Sequence, residues 1–86
     1  MPVISRFYGI TIRMFYNDHA PPHFHAIYGE HELLVGIDPV VVIQGAAPNR
    51  VTSMVLEWAA LHQAELLDNW HRGRRTDSFT PIDPLP

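Results

Sequence analysis

The chain has 86 residues, room for one small domain; ordinary domains run to about 100 to 150 residues, so a second catalytic domain is excluded. Apolar residues make up 47% and there is no Cys, which gives a globular composition that must fold without a disulfide staple. Six basic residues, all Arg, stand against nine acidic ones for a net charge of −3, the opposite of the excess a nonspecific nucleic-acid binder needs.

In chain order, the first half reads as strands. Gly9 to Tyr16 alternates, with Ile10, Ile12, Met14 and Tyr16 on one face and Thr11, Arg13 and Phe15 on the other. Asn17-Asp18-His19-Ala20-Pro21-Pro22 breaks that strand, because Pro fixes φ and cannot donate to a ladder. A second strand, His23 to Tyr28, meets a third, His31 to Ile37, across Gly29-Glu30, where Gly at the first central position suits a type II′ hairpin. Asp38-Pro39 turns into a fourth strand, Val40 to Ile43.

From Pro48 to His71 the period changes to 3.6. Pro48 suits a first helical turn, Gly73 suits a C′ stop, and Arg72, Arg74 and Arg75 sit where the helix dipole favours positive charge. Val51, Met54, Val55, Trp58, Ala59, Leu61 and Leu66 fall on one face, with Trp70 at its edge; Leu56, Ala60 and Leu67 fall elsewhere and call for a second neighbour, the tail or another subunit. Three prolines between Thr76 and Pro86 make the tail extended, with Phe79, Ile82 and Leu85 able to pin it. The expected fold is therefore α+β: a single domain over residues 1–75, built as an antiparallel meander of about four strands on one long C-terminal helix, then a Pro-rich tail over 76–86. No segment has the length of apolar sequence needed to span a bilayer, and Met1 to Ser5 lacks a basic region or an apolar signal-peptide core, so no membrane role and a cytoplasmic location are expected.

The histidines are unusual. Three of the six lie in His19-Ala20-Pro21-Pro22-His23-Phe24-His25, and a strand points residues i and i+2 to the same side. Pairing across Gly29-Glu30 sets Ala26 opposite Leu33 and His25 opposite Leu34, so that Phe24, Ala26, Tyr28, Leu33 and Val35 face the core while His23, His25 and Glu32 share a solvent-accessible face. Imidazole is the commonest ligand for divalent transition metals, and His19, His23 and His25 form a candidate metal set that a carboxylate could complete. Three readings stand side by side: hydrogen bonding to backbone carbonyls around Pro21-Pro22, a metal site, or an anion or acid-base site. His62 reads as a core imidazole with one partner, and Trp58 and Trp70 as packing residues. Nucleophilic catalysis finds no support, since Ser5, Ser53 and Ser78 lie in no activating motif and no Gly-rich phosphate loop exists.

The opening Met1-Pro2-Val3-Ile4-Ser5-Arg6-Phe7-Tyr8-Gly9-Ile10, then Ile12-Arg13-Met14, Asp18-His19-x-Pro21-Pro22-His23-Phe24-His25-Ala26-x-Tyr28-Gly29, Leu56-Glu57-Trp58, His62, Glu65-Leu66-Leu67 and Asn69-Trp70 resemble the bacterial domain-of-unknown-function family DUF4160. The resemblance implies a small cytosolic protein from a toxin-antitoxin-like two-gene module, with signature positions at Arg13, Asp18, His19, Pro21, Pro22, His23, Phe24, His25, Trp58 and His62. Candidate catalytic residues are then His19, His23, His25, Arg13 and Asp18. The segment Ile43 to Pro48 lacks the Lys or Arg that relatives can carry ahead of the helix, which counts against RNA binding. Two functions follow: an effector with a histidine-rich, nuclease-like site, or a noncatalytic metal-binding or protein-interaction module. The second would act as a homodimer or with a cognate small protein, through the helix face around Leu56 and Leu67.

Overall fold

The alternating segments pair with their neighbours in chain order. A computed structural model describes residues 2–86; Met1, the first residue of the family resemblance, lies outside them. Five strands, β1 (Val3–Phe7), β2 (Ile10–Arg13), β3 (His23–Tyr28), β4 (His31–Ile37) and β5 (Val40–Ala46), form one antiparallel sheet in the order β1-β2-β3-β4-β5. Two helices follow, α1 (Asn49–Leu61) and α2 (Gln63–Arg74). The α+β meander is as the alternation predicts, but with one strand more and with two helices in place of one long one.

The extra strand is β1, which turns back into β2 through Tyr8-Gly9. Both residues take positive φ, 50° and 81°, the backbone of a type I′ turn, and Tyr at the first of these positions is an uncommon choice that hides the hairpin in the sequence. The β3–β4 register is the one predicted, His25 against Leu34 and Ala26 against Leu33, and Gly29 takes the positive φ of 58° that its turn requires. The fourth predicted strand runs on to Ala46 as β5, past an irregularity in its pairing between Leu34 and Val35.

Inward residues of the sheet, Ile10, Ile12, Phe24, Ala26, Leu33, Val35 and Ile37, are all buried. They meet Val51, Val55, Trp58 and Ala59 of α1 and Leu66 and Trp70 of α2 in one cluster. Trp58 is its centre, with its ring 5.4 Å from Phe7 and 5.6 Å from Phe24. Fully burying each large apolar side chain contributes about 1.5 to 3 kcal/mol, which makes this single layer the main source of stability in so short a chain.

The helix divides at His62, whose φ of −115° and ψ of 24° leave the α region without any Pro or Gly to announce it. The next residue explains part of the bend: the Gln63 side-chain amide donates to the carbonyl of Ile37 at the end of β4, at 2.8 Å. Leu61, the last residue of α1, is 64% exposed and does not take the core position that the 3.6 period gives it. Gly73 is not a C′ stop but lies inside α2, buried beside Phe79, where an added Cβ would come within 2.8 Å of the ring.

Residues 77–86 have no regular secondary structure. They run back along the body through backbone bonds to side chains that the helices offer. Asn69, fully buried, bonds both the N–H and the carbonyl of Thr80, the Trp58 indole donates to the carbonyl of Asp83, and the Ile82 N–H donates to the carbonyl of Ile4 at the outer edge of β1.

Gly45 has φ +95°, and a Cβ there would collide with the Glu32 carbonyl oxygen. Gly45→Ala is therefore expected to destabilise the fold by about 1 to 3 kcal/mol, read as a lower urea midpoint with an unchanged slope; an unchanged midpoint would show that the β4–β5 pairing does not need this backbone.

Candidate functional site

The face of the sheet opposite the helices carries the site. β3 delivers His23 and His25 to it by strand alternation, β4 delivers Glu32 and Leu34, and Arg13 of β2 is the register partner of His25. The loop between β2 and β3 folds over the start of β3 and brings Asp18 onto the two imidazoles. One ligand atom from each of Asp18, His23 and His25 lies within 4.8 Å of the others.

The bonds are specific. His23 Nδ1 is 2.8 Å from the carbonyl oxygen of Pro21, and its Nε2 is 2.8 Å from Asp18 Oδ2. His25 Nε2 is 3.6 Å from the same Asp18 oxygen, and its Nδ1 is 3.0 Å from Glu32 Oε2. Each ring thus has one nitrogen held by a second acceptor and the other aimed at Asp18. A carbonyl oxygen only accepts, so His23 Nδ1 carries a proton, and Nε2 meets the carboxylate across a gap that a proton or a cation must bridge.

Several elements fix this geometry. The Asn17 N–H donates to the carbonyl of Gly73 at 3.2 Å and Arg74 Nη1 donates to the carbonyl of Asp18 at 2.9 Å, which ties the loop to the end of α2. The Trp70 ring lies 5.2 Å from that of His23, the edge of Phe15 meets His25 at 4.7 Å, and Tyr16 stacks on Phe79 at 4.5 Å. Burial pushes the Asp18 carboxyl up, but the His19 N–H, the charge of His23 and the ring bonds from His23 and His25 outweigh it and hold the group below the ordinary carboxylate value.

Two shallow concavities of about 290 and 300 Å³ meet at His25 and Leu34. One runs toward Glu32, Gln44 and Gly45, the other toward Asp18, His19, Pro21 and Ile43. Together they make a groove across the uncovered face with the imidazoles at its middle.

Of the predicted site residues, Asp18, His23 and His25 come together and Arg13 shares their face. His19 does not join them: it is exposed, and its part in the cluster is its backbone N–H, which donates to Asp18 Oδ1 at 2.8 Å. The loop turns outward at this residue, and the group that stands beside His23 and His25 is Asp18. The face is also less open than expected, since His23 is only 7% exposed beneath the loop and Trp70. His62 stands at the helix division, half-buried, with its Nδ1 2.6 Å from Glu65 Oε1. Trp70 and Arg74 are contributors that sequence reasoning missed as site residues; they lie on α2, beyond the division at His62, where Trp70 meets the His23 ring and Arg74 the Asp18 carbonyl, and no local pattern signals that.

A five-stranded meander backed by two helices, with a histidine–carboxylate cluster on its free face, defines a small α+β domain of the kind the Pro-Pro-His-Phe-His block marks. The family model for DUF4160, a domain of unknown function, matches residues 9–71, well over half of the chain, and the protein belongs to that family. No curated protein and no solved structure matches it. Among the described residues, no helix is long and apolar enough to cross a membrane.

Because the folded value of Asp18 is depressed, its stabilising contribution is complete above the ordinary carboxylate value of about 3.9 and is lost as pH falls through the lower folded value. Asp18→Asn should cost about 1 to 3 kcal/mol at pH 7. In urea titrations from pH 7 to pH 3, the gap between the two proteins should close only at the acid end; a gap already absent at pH 7 would show that the carboxylate does not hold the loop.

Proposed function

We propose that the protein is a metal-binding module whose centre is formed by Asp18, His23 and His25 on the free face of the sheet. The observation that carries this reading is the outer ring nitrogens. His23 Nδ1 is held by a backbone carbonyl and His25 Nδ1 by the Glu32 carboxylate, the two partners that orient ligating histidines in metalloproteins, and both Nε2 atoms are left directed at Asp18 Oδ2. A tetrahedral zinc ion with bonds of about 2.0 to 2.1 Å keeps its ligands about 3.3 Å apart. The distances of 2.8 and 3.6 Å from Asp18 Oδ2 to the two nitrogens bracket that value, so small side-chain movements would admit the ion.

Two imidazoles and one carboxylate leave at least one coordination position open, toward the groove, where a divalent ion would polarise a bound water or an anionic group. His19, exposed at one end of the groove, is then a groove residue and not a ligand. The family resemblance supplies the setting for this reading: a cytosolic component of a toxin-antitoxin-like two-gene module, working with a cognate small protein.

Native mass spectrometry with elemental analysis, on untagged protein purified without chelator, should find close to one divalent transition-metal ion per chain. The ion should be absent from the His23→Ala, His25→Ala double variant and reduced at least tenfold in affinity in Asp18→Asn, with circular dichroism showing both variants folded. Metal-free wild type that also fails to take up zinc in a calorimetric titration would overturn the reading and leave the imidazoles as supports of the Pro21-Pro22 loop.

If the site serves an effector, expression of the chain alone should slow growth, and the same double variant should restore it at equal protein level. Equal slowing by both proteins would separate any growth effect from the histidines.

A further inference from the structure

The site loop and the C-terminal tail share one anchor. The carbonyl of Gly73 accepts from the Asn17 N–H of the loop and from the Thr76 N–H that closes α2, each at 3.2 Å. The Asp77 N–H donates to the carbonyl of Arg72 at 2.9 Å, and Thr76 takes a positive φ of 59°. These are the two bonds and the left-handed residue of a Schellman cap, which turns the chain out of the helix and sets the direction of the tail. The Phe79 ring then lies in the space left by the missing Gly73 side chain and stacks on Tyr16 at 4.5 Å, with 12° between the ring planes. Tyr16 stands two positions before Asp18, and Arg74 holds the Asp18 carbonyl at 2.9 Å. The end of α2 and the start of the tail therefore converge on residues 16–18, beside the one carboxylate of the proposed ligand set.

We propose that tail docking and metal occupancy are coupled through this junction, with Phe79 as a positioning residue for Asp18. The inference rests on the reading of Asp18, His23 and His25 as a divalent-metal centre. Within that set the ligands are held unequally. His23 and His25 are fixed by the pairing of β3 on both sides, whereas Asp18 lies in the loop and takes its place from α2 and the tail. Affinity for the ion therefore depends on how firmly residues 16–18 are held. By the reciprocity of linked equilibria, an ion that binds better with the loop in place holds the loop, and the Phe79 ring stacked on it, by the same factor. Beyond Phe79 the tail bonds Asn69, the carbonyl of Ile4 on the outer edge of β1 and the Trp58 indole. Occupancy of the centre thereby governs how firmly that edge is covered.

Zinc calorimetry and amide hydrogen exchange on the full chain test the two directions separately. Phe79→Ala should weaken zinc binding about fivefold, the scale of one aromatic stack, and Tyr16→Leu, which removes the stack from the loop side, should match it. Phe79→Tyr keeps the stack and should retain wild-type affinity. Leu85→Ala removes a half-buried apolar side chain further along the tail; it should lower the urea midpoint and leave zinc affinity unchanged, which separates loss of stability from loss of position. In the other direction, saturating zinc should slow exchange of the Thr80 and Ile82 N–H groups about fivefold in the wild type and not in Phe79→Ala, with circular dichroism showing each variant folded. Equal zinc affinity in wild type, Phe79→Ala and Tyr16→Leu, with tail exchange unmoved by zinc, would overturn the coupling and leave the metal centre standing. A wild type that takes up no zinc would overturn both.

Discussion

The alternation of β3 is the constraint on which the rest of the molecule depends. It is the middle strand of five, paired on both sides, and its two faces carry unlike cargo. Phe24 and Ala26 point into the core against Trp58, while His23 and His25 point away from it. A slip of one residue would bury two imidazoles in an apolar layer and expose the Phe24 ring, a change that costs several kcal/mol on both faces at once. The core and the candidate site are thus specified by the same register.

What the register leaves open is closed from a distance. Pro21-Pro22 stiffens only the end of the β2–β3 loop, and its start is held from α2: Asn17 by Gly73 and the Asp18 carbonyl by Arg74. The cluster therefore draws on β3, β4, the loop and α2 together. Two carboxylates, Asp18 and Glu32, face the two imidazoles. Half-buried carboxylates without such partners would be expensive to desolvate, and the depressed value of Asp18 records how fully this one is compensated.

Much of this was legible in the sequence, for identifiable reasons. Period-2 runs bounded by Gly29-Glu30 and Asp38-Pro39 define β3, β4 and the start of β5, because turn chemistry and alternation there point the same way. The face shared by His23, His25 and Glu32 follows from that register, and the family from the Pro-Pro-His-Phe-His block. Tyr8-Gly9 hid β1, since its turn uses a residue that rarely takes positive φ. The division at His62 was invisible because the residue is a tolerable helix former, and the bend is supported by a side-chain bond from Gln63 to a strand 26 positions away. Trp70, Gly73 and Arg74 lie beyond that division, on α2, where they meet His23 and the loop. His19 looked equivalent to its neighbours because spacing reports proximity along the chain and not the direction in which a loop turns.

The bond between the Tyr8 hydroxyl and the carbonyl of Pro86 spans 78 positions, and this has a consequence for how the protein is made. During synthesis, β1 and β2 can form their hairpin early, but the segment that engages their free edge and caps the Trp58 indole is translated only after both helices. Until residues 80–86 clear the ribosome, the nascent chain holds an open strand edge and an unfinished core. Covering of that edge and of the Trp58 indole therefore waits on the emergence of residues 80–86 and not on the pairing of the strands, an interval in which an open edge favours misassociation.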